Sequence, residues 1–228
     1  MIVHPNQSTH SNVIYKLFAQ PESLRDEKWE KNVLSHLPGI YVELVDESPK
    51  TGPDGWPYLF VQAIESEGKE PMTKILYWLS EKGIGLVVNP HKYAPDFVIP
   101  YGMILNFRLT GRFADFEPGI FNGVQGLDIA EGSQVCAGPP SLDYWPGYAR
   151  KIVLEFLVQQ GVHSPKVLMI STDNKNYDLC FSLESLGCPP EKEHVGILEA
   201  LSWFFPPHYS LAIVSEKGMP KFMELKET

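Results

Sequence analysis

Cysteine is scarce in this chain: Cys136, Cys180 and Cys188 are the whole set, and no two have C-x-x-C spacing. So small and odd a number fits a reducing cytosol better than a disulfide framework. Apolar runs are short as well. The best, Tyr101 to Leu109, is interrupted by Gly102, Asn106 and Arg108, well below the roughly 18 residues of a membrane span. The N-terminus begins Met-Ile-Val-His-Pro-Asn, with neither the basic nor the apolar segment of a signal peptide, so a cytoplasmic location is expected.

Clustered positive charge is also lacking. The net charge is −9, and the longest basic run is Arg150-Lys151. Neither half of the chain has an excess of lysine and arginine, so displacement of counterions from phosphates is not a plausible source of affinity. Nucleic acid and anionic membrane surfaces are therefore not expected partners. Catalytic and cofactor motifs are missing too. There is no P-loop, no H-E-x-x-H and no G-x-S-x-G. Gly83-Ile-Gly85 fails the dinucleotide pattern because Val88 stands where its third glycine belongs, and it reads as a helix cap before a strand. The seven histidines include no His-x-His or His-x-x-x-His pair, so no metal or other cofactor is expected. His194 and Glu191 share a helical turn and read as a solvated face.

The hydrophobic periodicity is well supplied. The first twelve residues are polar and read as a loose tail, followed by a short apolar segment, Val13–Ala19. Pro21 opens an expected helix carrying Leu24, Trp29, Val33, Leu34 and Leu37, stopped by Pro38-Gly39. Strands at 40–45 and 58–64 form a hairpin across a turn-rich stretch, and a helix from Pro71 and a strand at 84–88 follow. A short strand at 97–99 and a helix over 101–110 complete this half. The second half reads as a helix after Pro146, strands at 166–171 and 177–183 across an Asp173–Asn176 turn, a helix after Pro190, and a strand at 209–214.

Both halves thus run helix, strand, strand, helix, strand. The expected class is α+β, with two subdomains whose sheets are mostly antiparallel. The expected boundaries are 1–112 for the N-terminal domain, 113–147 for a Gly/Pro-rich connecting loop and 148–228 for the C-terminal domain.

The stretches Pro146-Gly-Tyr-Ala-Arg-Lys-Ile-Val-Leu-Glu-Phe-Leu, Val167-Leu-Met-Ile, Tyr177-Asp-Leu-Cys-Phe-Ser-Leu and Phe205-Pro-Pro-His-Tyr-Ser-Leu-Ala-Ile-Val resemble the C-terminal region of the enhanced serine sensitivity (SseB-like) family. The first half, with Tyr41-Val42 and Leu59-Phe60-Val61, is similar in order to that family's N-terminal region. The resemblance implies a bacterial cytosolic two-domain protein, supplies no catalytic motif, and leaves 113–147 unexplained.

Aromatic residues collect in the connections. Trp56, Tyr58, Tyr93, Phe97, Tyr101, Tyr144 and Trp145 are candidate binding residues, because tyrosine and tryptophan bury much area at low entropic cost. The alternative is that they anchor loops to the core. The functional expectation is a non-enzymatic protein-binding protein of adaptor, regulatory or immunity type, whose partner is another protein, possibly a basic one. The competing reading is an enzyme. His91 and Asp96, in the loop from Asn89 to Tyr101, could form an oriented imidazole, and Cys136 or Cys188 could serve as a loop thiol. Cys180, in an alternating apolar strand, reads as a buried structural thiol.

Overall fold

The computed structural model describes residues 7–64, 69–90, 94–114, 135–173 and 175–226, with side chains from residue 13 onward in the first stretch. The chain divides into two compact units between Phe113 and Ala114.

Unit 1 opens with α1 (Gln7–Phe18) and α2 (Glu27–His36), joined by a single 3-10 turn at Glu22–Leu24. It continues through β1 (Tyr41–Leu44), β2 (Lys50–Thr51), β3 (Pro57–Ile64), β4 (Glu70–Pro71), α3 (Met72–Ser80), β5 (Gly85–Pro90), β6 (Pro95–Ile99) and α4 (Tyr101–Thr110). Two expectations change here. Val13–Ala19 is largely the end of a helix, whose Ile14, Leu17 and Phe18 are buried. The helix expected at Pro21 begins at Glu27, where the Asp26 carboxylate accepts the Trp29 N–H at 2.8 Å and caps it.

The sheet of unit 1 runs β4-β1-β3-β5-β6, with β2 on β3. All its pairings are antiparallel except β3 with β5. That one is parallel because α3 carries the chain back across the sheet between the two strands. Ile14, Val33, Leu37, Val42, Val61, Leu79, Val88, Ile99 and Ile104 are fully buried in one core. Gly85 lies under the Tyr58 ring, where a Cβ would stand 2.5 Å from a ring carbon, so only glycine lets β3 and β5 meet there.

Unit 2 contains β7 (Cys136–Gly138), α5 (Gly147–Gln159), β8 (Lys166–Ser171), β9 (Asp178–Ser182), α6 (Glu191–Ser202), β10 (Ser210–Val214) and β11 (Met223–Glu224). Its sheet runs β10-β9-β8, with β7 and β11 both on the other edge of β8. Again one pairing is parallel, β9 with β10 across α6, and the others are antiparallel. The order helix, antiparallel strand pair, helix, parallel strand therefore occurs in both units, and the class is α+β. Four helices start directly behind a proline, at Pro71, Pro100, Pro146 and Pro190. Proline suits this position because its fixed φ matches the entry to a helix and its missing N–H is not needed there.

The stretch 113–147 is not purely a connection. Cys136–Gly138 is a strand of the unit 2 sheet, and Trp145 is 1% exposed, with its ring 5.0 Å from Phe205 and 6.4 Å from Phe181.

Candidate functional site

The end of β5 is joined to β6 by a chain of polar side chains. Asn89 is 4% exposed and has a φ of 52°, a left-handed conformation that asparagine tolerates better than most residues. Its Oδ1 accepts the Ala63 N–H at 2.8 Å and the Gln62 side-chain amide at 2.9 Å, while its Nδ2 donates to Asp96 at 2.9 Å. The other Asp96 oxygen accepts from Arg25 at 2.8 Å. Arg25 also donates to the carbonyls of Phe18 and Gln20, and its guanidinium lies 4.9 Å from the Trp29 ring. Among the described residues, Asp96 thus ties β6 to β5 and to the α1–α2 connection. His91 and Tyr93 lie outside the described residues.

The aromatic candidates separate on burial. Tyr58 is 4% exposed and donates its hydroxyl to Asp54 at 2.7 Å. Tyr101 is fully buried and donates to the Ser80 carbonyl at 2.8 Å. With Trp145, these two are buried and form no contact surface: the Tyr58 ring lies over Gly85, the Tyr101 hydroxyl reaches the end of α3, and Trp145 packs on Phe181 and Phe205. Trp56 is half-buried, and Phe97 is half-buried with its ring 5.8 Å from Trp29. Tyr144 is half-buried and lines an open groove.

That groove belongs to unit 2. It holds about 340 Å³ and is bordered by Cys136, Gly138, Ser141, Tyr144, Met169 and Tyr177. Strand register explains it. Cys136 pairs with Ser171 and Gly138 with Met169, so these side chains share the face on which Val167 and Phe181 pair. Gly138 has no side chain to lay over Met169, and nothing lies within 4 Å of where its Cβ would be. The opposite wall is fixed by Arg150 on α5. It is 5% exposed and donates to the carbonyls of Pro140 at 2.6 Å, Ser141 at 2.9 Å and Trp145 at 2.8 Å. Burial lowers the Arg150 pKa. Tyr144 is stacked on Tyr209 with centroids 4.2 Å apart, and the Tyr209 hydroxyl donates to the Tyr144 carbonyl at 2.6 Å. Burial is the main cause that raises the phenol pKa of both.

Of the candidate thiols, Cys136 is exposed in this groove and Cys188 is exposed in a turn, where its φ is 53°. Cys180 is fully buried, and burial pushes its thiol pKa up to about 12. His194 bonds the Pro189 carbonyl at 3.0 Å, at the start of α6. Among the described residues, no three His, Cys, Asp or Glu side chains gather as metal ligands would. No helix among them is long and apolar enough to cross a membrane.

A second depression in unit 2, of about 710 Å³, is bordered by Lys166, Glu216, Lys221, Met223 and Lys226. Its charges are largely paired, Lys166 with Glu216 and Lys226 with Glu224, each at 3.0 Å. Sequence reasoning missed Gly138, Met169 and Tyr177. A strand glycine inside a Gly/Pro-rich stretch has the same local signature as a turn glycine.

Compared with protein-family models, with curated proteins and with solved structures, the chain matches none.

Proposed function

We propose that this chain is a non-enzymatic protein-binding protein, of adaptor, regulatory or immunity type. One observation carries the reading. On unit 1, Tyr77 and Trp78 of α3 are 45% and 43% exposed, and the guanidinium of Arg108 lies 4.4 Å from the centre of the Tyr77 ring. Tryptophan, tyrosine and arginine are the residues that most often dominate binding energy at protein interfaces. Holding this trio in water gains little, while covering it with a partner removes a large apolar area from solvent. The resemblance to the enhanced serine sensitivity family belongs to the same proposal, and on that reading the protein works in a bacterial cytosol.

The test is chemical cross-linking of the purified chain in an extract of the cells that make it, followed by mass spectrometry. The expected result is one dominant partner, cross-linked near α3 and lost in a Tyr77→Ala, Trp78→Ala double variant that keeps its circular dichroism. No partner at all, together with turnover of a metabolite by the pure protein, overturns the reading.

A further inference from the structure

The unit 2 groove has features that an exposed aromatic patch lacks. Strand β7 pairs with β8 on one side, and among the described residues no strand pairs with its other edge. A strand presenting such an edge is a ready template for another chain. Within β7, Gly138 opens the space above Met169, although its φ is not in the left-handed region that would demand glycine. A glycine so placed in a strand marks a point where a ligand or another backbone comes close. The walls are rigid, because Arg150 pins the turn carrying Ser141 and Tyr144.

Charge selects the occupant. Asp143, next to Tyr144, and Asp173, two residues beyond the Ser171 that pairs with Cys136, are both exposed, and Asp178 follows Tyr177. The one described lysine on this turn is Lys175, within a chain of net charge −9. A positively charged segment is favoured here and an acidic one is repelled.

We propose that the groove takes an extended, basic segment of a partner protein. The segment adds along the outer edge of β7, seats an apolar side chain in the space over Gly138 bordered by Tyr144 and Tyr177, and sets lysine or arginine against Asp143 and Asp173. This is strand addition, in which main-chain hydrogen bonds give affinity and the pocket under alternate side chains gives specificity. It rests on the protein-binding reading and adds a second contact site with a defined ligand chemistry.

The test uses the full chain and two fluorescein-labelled peptides. One alternates isoleucine with lysine, and the other has glutamate in place of each lysine. Fluorescence anisotropy should show the lysine peptide binding at least about tenfold more tightly, a difference of about 1.4 kcal/mol. Its binding should slow alkylation of Cys136 by iodoacetamide severalfold and leave Cys188, exposed elsewhere in unit 2, unchanged. Gly138→Leu should fill the space and weaken the lysine peptide about tenfold. Tyr177→Ala, at an exposed position, should do the same if the leucine variant folds poorly. Equal affinity for the two peptides, no protection of Cys136, or undiminished binding by both variants overturns the proposal. If any of these occurs while the α3 cross-links persist, the groove assignment fails and the protein-binding reading stands. Peptide binding as expected without cross-links near α3 keeps the groove assignment and removes α3 as a contact site.

Discussion

Arg25 reaches the carboxylate of Asp96 at 2.8 Å, joining the α1–α2 connection to β6 across 71 residues of sequence. Both side chains are mostly buried, at 19% and 8% exposure. A pair so far removed from water is costly to break from one side, because the surviving carboxylate stays buried without the guanidinium. Arg25→Met should therefore lower the unfolding free energy by about 3 kcal/mol, read from urea titration. Asp96→Asn should cost less, since an amide still serves Asn89 and the Arg25 guanidinium keeps the Phe18 and Gln20 carbonyls. If the two variants lose the same amount, the account of Asp96 as a tie between elements is wrong.

Arg150 makes a parallel prediction for unit 2. Arg150→Met removes the donors serving the Pro140, Ser141 and Trp145 carbonyls and should cost about 2–3 kcal/mol. The turn carrying Tyr144 should also loosen. Faster amide hydrogen exchange at 141–145, with the exchange of β9 unchanged, would be the signature.

Cys180 gives a pH prediction. Its folded pKa, about 12, lies above its ordinary value of 9.0, because burial disfavours the thiolate. The folded state therefore keeps a proton that the unfolded state loses, and the associated stability is present below about pH 9 and is lost as pH rises towards 12. The urea midpoint should fall over that range, and Cys180→Ala should fall less. In the native protein at neutral pH, Cys136 and Cys188 should react with a thiol reagent while Cys180 reacts only after unfolding.

Asp173 acts at the acid end. The N–H groups of Asn176 and Lys175 bond its carboxylate and hold its pKa at about 2, below the usual 3.8. A lowered carboxylate pKa contributes stability above its ordinary value and loses it as pH falls through the folded value. Between pH 3.8 and about 2 the wild type should therefore lose stability faster than Asp173→Asn, as followed by circular dichroism.

Much of the secondary structure was legible because it is written in local chemistry. Helix α4 matches its expected span, Tyr101–Thr110, with Gly111 in the left-handed conformation at its end. Strand β8 matches Lys166–Ser171, and its turn is built around Asp173 as expected. Helix α1 was not legible. Its first half is polar, so the helical period shows only where Ile14, Leu17 and Phe18 meet the core. Strand β7 escaped for a different reason: three residues are too few to display a period, and only β8 makes them a strand.

The sequence alone determined the class, the repeated order of elements and the negative net charge, because periodicity, prolines before helices and composition act over short distances or over the whole chain. The tertiary structure decided which aromatic rings remain in water. Tyr58, Tyr101 and Trp145 carry the same local signature as Tyr144 and Tyr177, yet the first three are buried. Tyr144 and Tyr177 border open space because Gly138 pairs with Met169. Burial is set by contacts between residues far apart in the chain, and no local pattern encodes it.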